Sequence, residues 1–310
     1  MEKRRNRYKS KPKRKKWLWI TLSVILLLAA AAAYGYSIWR DVQNTVATEL
    51  HEPVDGIDTE ATKKKVDGKE PINILLLGVD ERSHDKGRSD TMIVMTLDPA
   101  NQQMQLVSIP RDTRTEIVGR GMVDKLNHAY AFGGSEMSVA SVENFLDIDL
   151  DYYVRMNMEG LAQLVNAVNG ITVTNDRAFS QGGHSFGTGE LQLNGEEALA
   201  YVRMRKGDTQ GDLGRNERQR QVIQGIIDKG ANFNILNKIG DIMDVLGDNM
   251  ATNMKFDDMR NLATNYRSAR KNITTYQMSG QGTRINGIYY MLMSDEEVRK
   301  VHDMITTFGE

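Results

Sequence analysis

The sequence predicts an α/β protein: a central mixed β-sheet sandwiched between helices in three layers (α/β/α), preceded by one transmembrane helix. Three observations predict it. Residues 17–39 (WLWITLSVILLLAAAAAYGYSIW) carry no charge over 23 positions, enough at about 1.5 Å per residue to cross a hydrocarbon core of about 30 Å. Two early runs, 73–79 (NILLLGV) and 92–97 (MIVMTL), are apolar on both faces, as strands covered on both sides are. After them, helical and extended stretches alternate to the C-terminus, the order of a sheet packed between helices.

The N-terminal 16 residues hold ten Lys/Arg and one Glu, a net of +9; the 310-residue chain sums to −1, so residues 17–310 carry −10. A basic tail on an acidic body calls for two explanations. Trp17 and Trp19 at one end of the apolar run, and Tyr34, Tyr36 and Trp39 at the other, suit the two interfacial belts. The run exceeds the roughly 7–15 apolar residues of a signal peptide, and no small-x-small cleavage site follows it, so it reads as an uncleaved span. The positive-inside rule then puts residues 1–16 in the cytoplasm and 40–310 outside a cell membrane crossed once, with the tail against anionic lipid heads. No recognition helix or aromatic platform accompanies the cations, so nucleic acid is not an expected partner.

Residues 40–70, with Pro53, Gly56, Gly68 and the run Lys63-Lys64-Lys65, read as a short helical continuation and then a linker, leaving 71–310 as the exterior catalytic domain. A third strand at 104–109 follows the second across Asp98-Pro99-Ala100-Asn101, a turn sequence. Helices are expected over 135–146, 159–168, 194–203, 215–229, 235–246, 256–269 and 295–308. Extended segments are expected over 152–156, 171–174, 273–278 and 288–292. Asp147, Asp149 and Asp151 alternate with Ile148, Leu150 and Tyr152, which suggests a strand with one wet face. They are no calcium loop, because Tyr152 and Met158 stand where its Gly and Glu belong.

Several chemistries are excluded. With no cysteine there is no disulfide scaffold, thiolate zinc site or cysteine nucleophile. There is no Walker A or dinucleotide fingerprint, and the five histidines lack metal-ligand spacing. Gly183-His184-Ser185-Phe186-Gly187 matches G-x-S-x-G, but its flanks are loop-like, whereas a nucleophile elbow needs a strand before and a helix after.

Two clusters remain. If the first three strands form an antiparallel meander, Gly78-Val79-Asp80, Arg88-Ser89-Asp90-Thr91 and Ile109-Pro110-Arg111-Asp112 meet at one sheet edge. Between 203 and 220, six cations (Arg203, Arg205, Lys206, Arg215, Arg218, Arg220) face three acids (Asp208, Asp212, Glu217). Arg215 and Gln219 share a helical stripe with Val222 and Ile226. Arginines near a helix start oppose its dipole, and a bound phosphate would relieve that; a salt-bridge network with the three acids is the alternative. An exterior enzyme without a nucleotide loop must draw energy from its donor, and a lipid-linked pyrophosphate is such a donor. Arginines would neutralise it, Asp80 and Asp90 could hold Mg²⁺, and its lipid would require an apolar cavity.

The chain resembles the LytR–CpsA–Psr family. The resemblance rests on Leu-Leu-Leu-Gly-Val-Asp at 75–80, Arg-Ser-Asp-Thr at 88–91 and Ser-Ile-Pro-Arg-Asp-Thr at 108–113, on Lys-Leu-Asn-His-Ala-Tyr at 125–130 and Tyr-Val-Arg-Met-Arg at 201–205, and on Asp-Leu-Gly-Arg-Asn-Glu-Arg-Gln-Arg at 212–220. It implies transfer of an anionic glycopolymer, wall teichoic acid in the similar branch, from a polyprenyl pyrophosphate carrier to a muramic acid hydroxyl of peptidoglycan, forming a phosphodiester. By the same resemblance Asp80 and Asp90 would bind Mg²⁺. Arg88, Arg111, Arg203, Arg205 and Arg215 would hold the pyrophosphate with Gln219 assisting, and Asp90, Arg111 and Arg215 would be catalytic. The general base is left among Asp90, the first choice, Asp112 and Asp208. A polyprenyl pyrophosphate hydrolase and a non-catalytic lipid-binding regulator are the alternatives.

Overall fold

A computed structural model describes residues 14–81, 87–204, 211–232, 242 and 246–309. The chain divides into two compact units, 1–44 and 45–310. The first contains the helix α1 (Arg14–Thr45), which exposes Val24, Ile25, Leu26, Leu27 and Leu28 together with Tyr34, Tyr36 and Trp39. Among the described residues no helix is long and apolar enough to cross a membrane. The side chains at 17–23, which open the span expected at 17–39, lie outside the described set.

The second unit is built on a six-stranded sheet. Its first elements are α2 (Thr59–Gly68) and the strands β1 (Ile72–Val79), β2 (Ser89–Asp98) and β3 (Gln103–Ser108). The three strands form the expected antiparallel meander. A short ribbon of β4 (Arg114–Ile117) and β5 (Met122–Lys125) follows, then α3 (His128–Leu146), β6 (Tyr152–Asn157) and α4 (Met158–Ala167). Next come β7 (Ile171–Asn175), β8 (Phe179–Gln181), β9 (His184–Phe186) and β10 (Gly189–Leu193), then α5 (Gly195–Arg203) and α6 (Asp212–Asn232). The last part of the chain holds β11 (Met250–Thr252), α7 (Phe256–Asn265), β12 (Asn272–Gln277), β13 (Gln281–Ile285), β14 (Ile288–Leu292) and α8 (Asp295–Thr306). The main sheet runs β11-β6-β1-β2-β3-β12. It is mixed, because β6 lies parallel to β1 and β12 parallel to β3.

Period-two alternation in the central strands feeds both faces. Leu75, Leu77, Met92, Val94 and Val107 pack against Val139, Val142 and Leu146 of α3 and Val301 and Ile305 of α8. Ile72, Ile74, Ile93, Leu97 and Leu106 face the other way, toward Val66 of α2, Ile223 and Ile227 of α6 and Met259 and Leu262 of α7. This is the three-layer arrangement the sequence predicts. A satellite core joins Val165, Ile171, Val173, Leu193, Tyr201 and Val222, and it fixes α5 and α6 relative to the sheet.

Several expectations are corrected. The segment 46–68, read as linker, is folded: Val46, Leu50, Val54, Ile57 and Val66 are buried, and Asp58 caps α2 through the backbone N–H groups of Glu60 and Ala61. Residues 147–151 form no strand. Asp147 ends α3 in a left-handed conformation, and Asp151 is buried rather than wet. The helix expected to start at 135 begins at His128 and kinks at Gly133 and Gly134, where φ reaches +67°. The helix expected over 256–269 stops at Asn265 and gives way to a 3₁₀ turn, Arg267–Lys271. The one expected over 235–246 falls mostly outside the described residues. The G-x-S-x-G segment is a β-hairpin. Gly182 and Gly183, both at positive φ, make its two-residue turn between β8 and β9, as such turns require, and Ser185 bonds only across it to Ser180 among the described contacts (3.1 Å).

Candidate active site

The meander brings the first cluster together. Gly78 pairs with Thr91 and Val79 with Ser89, so Asp90 is an extra residue in the second strand. A bulge of this kind bends the strand and re-aims its side chain. Asp80 N–H donates to Arg88 O (3.2 Å), closing the β1 and β2 ends on one another. Gly87 lies so near Asp80 that a Cβ on it, at φ +70°, would sit 2.4 Å from Asp80 O. Glycine is required there on both counts.

Arg111 Nη1 donates to Asp90 Oδ1 at 2.8 Å, with both side chains 22% exposed. Its Nε lies 3.7 Å from Asp112, whose other oxygen accepts from Lys125 Nζ at 2.7 Å. Backbone bonds hold this turn: Leu126 N–H donates to Thr113 O (2.8 Å) and Asn127 N–H to Arg111 O (3.2 Å). The motif at 125–130 therefore buttresses the motif at 108–113. Below it, Asp124 pairs with His128 (2.7 Å) and accepts from Tyr290 Oη (3.2 Å). Burial pushes the Asp124 carboxyl up, but the His128 contact and the Lys125 N–H outweigh it and hold the group below the ordinary carboxylate range.

The second cluster splits by helical face. Arg218 Nε and Nη2 donate to the carbonyls of Tyr201 (3.1 Å) and Met204 (2.8 Å). Arg220 ties Ser108 Oγ (2.8 Å), Gln277 (2.9 Å) and Glu217 together. Both are thus held in structural contacts, but of the three acids named only Glu217 is a partner among the described contacts, and only of Arg220. Arg215 and Gln219, both buried, line a polar cleft of about 740 Å³ with Asp80, Asp90, Asn157 and Arg203. Arg203, the last residue of α5, is exposed at its rim. Arg111 lines a neighbouring cavity of about 270 Å³ with Asp112 and, again, Arg215. Arg88 is exposed and is not among the residues lining the cleft. Arg205 and Asp208 lie outside the described residues.

Behind Gln219 the lining changes. An almost wholly apolar cavity of about 220 Å³ is walled by Leu76, Met95, Val154, Leu161, Val222 and Ile226, and it shares Gln219, Asn157 and Val202 with the cleft. Asn157 is not among the residues that the sequence singled out. Its side chain caps α4 through Gly160 N–H (2.8 Å), yet it also stands where polar and apolar compartments meet. Among the described residues no group of three or more His, Asp or Glu could hold a metal by itself. Asp80 and Asp90, both on the cleft wall, nevertheless match the needs of Mg²⁺, which takes one or two carboxylates and completes its octahedron with phosphate oxygens and water.

Comparison with known proteins places these features in context. The LytR_cpsA_psr family matches residues 36–306. The polyisoprenyl-teichoic acid–peptidoglycan teichoic acid transferase TagU of Bacillus subtilis strain 168 is 51% identical over 257 residues, 83% of this chain and 84% of that protein. The crystal structure of B. subtilis TagU superposes with a TM-score of 0.65 at 46% identity, covering 77% of this chain and 96% of that one. A structure of TagT bound to LI-WTA superposes at 0.66 with 32% identity, covering 77% and 91%.

Proposed function

Since this chain belongs to the LytR–CpsA–Psr family, we propose that it transfers teichoic acid from a polyisoprenyl pyrophosphate carrier to a peptidoglycan muramic acid hydroxyl. One observation carries this reading. A cleft walled by carboxylates and arginines adjoins an apolar cavity, with Gln219 and Asn157 lining both, which is what a diphosphate on a hydrocarbon tail requires.

The pyrophosphate lies in the cleft, where Arg215 and Arg203 offset its charge; guanidinium forks suit phosphate oxygens. Asp80 and Asp90, both on the cleft wall, would hold Mg²⁺, which would supply positive charge to offset that of the diphosphate. The acceptor hydroxyl oxygen attacks the phosphorus that bears the glycopolymer. A new P–O bond forms, the P–O bond to the lipid-bearing phosphate breaks, and polyprenyl monophosphate leaves with its electron pair. Asp90, on the cleft wall, takes the hydroxyl proton, and Arg111, which donates to its Oδ1 at 2.8 Å, holds that carboxylate in place. Such transfers need positioning and charge stabilisation more than covalent catalysis. Residues 17–39 anchor the protein in the membrane beside its donor with residues 1–16 cytoplasmic, a reading supported by the uncharged run and the cations before it.

The test is to incubate the full-length protein in detergent micelles with a lipid-linked teichoic acid donor, with and without peptidoglycan oligomers. The expected result is acceptor-dependent phosphodiester formation that stops on chelating divalent cations and returns with Mg²⁺. Release of polymer at the same rate without acceptor would identify a hydrolase instead.

A further inference from the structure

The stripe of α6 that the sequence singles out does more than touch the cleft. Read from Ile226 toward the N-terminus, it meets the three cavities in succession. Ile226 and Val222 wall the apolar cavity, Gln219 stands between it and the polar cleft, and Arg215 stands between the cleft and the third cavity. The eleven steps from Arg215 to Ile226 cover about 16 Å of helix axis. The three compartments are therefore ordered along one line.

In-line displacement at phosphorus imposes the same order on its reactants: leaving oxygen, phosphorus, attacking oxygen. With the lipid-bearing phosphate toward the apolar cavity and the phosphorus in the cleft, the attacking oxygen comes from the Arg215 side. The donor's own sugar is carried equatorially on that phosphorus, so it leaves the axis sideways, into the larger and open cleft. What the third cavity offers is suited to a sugar ring. Tyr289 on β14 is 38% exposed and lines it, and Ser279, Gln277, Asn216 and Asp112 supply hydrogen-bonding groups. Tyr289 lies over Gly282 of the paired strand β13, where a Cβ would sit 2.7 Å from the tyrosine hydroxyl; the missing side chain leaves the ring its seat. An aromatic face with a few placed polar groups is a recognition surface for an uncharged ring.

We propose that this third cavity is the acceptor subsite, that it binds a glycan-strand sugar of peptidoglycan with Tyr289 as its platform, and that Tyr289 is a specificity-determining residue for the acceptor. The proposal rests on the transferase reading above. Full-length enzyme is assayed with lipid-linked donor and peptidoglycan oligomers, and KM is measured for each substrate. Tyr289→Ala is expected to raise the acceptor KM roughly tenfold, with donor KM and kcat unchanged, while Tyr289→Trp restores binding. Ser279→Trp, which fills the cavity from an exposed position on its wall and leaves Tyr289 unchanged, is expected to act in the same direction. A rise in donor KM instead, or no change in either constant with both variants, overturns the subsite while leaving the transferase standing. Absence of transfer by the unaltered protein overturns both.

Discussion

Arg215 and Arg218 stand one step of three apart on the same helix and serve different ends. Arg218 spends its guanidinium on two backbone carbonyls at the end of α5 and stacks over Phe179. Arg215 lines both polar cavities. Arg215→Ala is therefore expected to cut kcat by about 10²–10³, the usual cost of removing one preorganised charge-stabilising group, with its thermal melt near that of the parent. Arg218→Ala is expected to lose about 2–4 kcal/mol of stability, because two charge-assisted bonds go and two buried carbonyls lose their donor. Urea unfolding beside steady-state kinetics separates the pair; equal stability losses would refute the assignment. A run of cations was legible in the sequence as a cluster. Which cation faces the cleft was legible only for Arg215, through its stripe with Gln219, Val222 and Ile226. The bulge that turns Asp90 was not legible, since nothing in Arg-Ser-Asp-Thr marks an extra residue. Nor was the exposure of Arg88, whose proximity to Asp90 in sequence does not carry it to the cleft wall.

At the scale of elements, long apolar strands declared themselves and short half-exposed ones did not. β1, β2 and β3 bury residues on both faces, so their composition alone separates them from loops. β4, β5, β8 and β9 are three or four residues long and mostly uncovered, leaving neither length nor alternation to read. The segment before β1 misled for a different reason: its lysines mask a helix that docks by only two positions, Thr62 and Val66. The tie that holds α2 is Asp151, which accepts from Lys65 Nζ (2.9 Å), Asn73 N–H (2.8 Å) and Thr62 Oγ1 (3.3 Å). Asp151→Ala is expected to cost about 2–3 kcal/mol, measured by urea unfolding. Burial raises the pKa of this carboxyl and outweighs the bonds from Asn73 and Lys65 that pull it down. Its folded value thus lies above its unfolded one. Its contribution to stability is largest below the unfolded value and declines as pH rises through the folded one. Asp151→Asn should remove that decline, so a stability–pH curve in the acid range that keeps its slope would count against this account.

The whole molecule sets one charged compartment between a greasy one and a sugar-sized one, and a single helix spans all three. This order explains why α6 is packed from two sides. Ile223 and Ile227 hold it to the main sheet, while Val222 and Ile226 belong to the satellite core, so a shift of either layer would break the alignment. It also makes the apolar cavity separable from the chemistry, since Ile226 lies about three turns from Arg215. A larger side chain at 226 takes the room the lipid needs and at the same time gains apolar contacts in the lipid-free protein. Ile226→Trp is accordingly expected to raise Tm by about 2–4 °C, the shift of about 1 kcal/mol in a domain of this size, and to raise the KM for a long-chain polyprenyl donor. With a donor shortened to its first isoprene units the penalty should shrink, because less chain reaches the blocked depth, and kcat should be unchanged throughout. Calorimetry and kinetics with the two donors give the three readouts together. A variant more stable than its parent yet indifferent to donor chain length would mean that the lipid lies elsewhere, and the linear order of compartments would lose its first member.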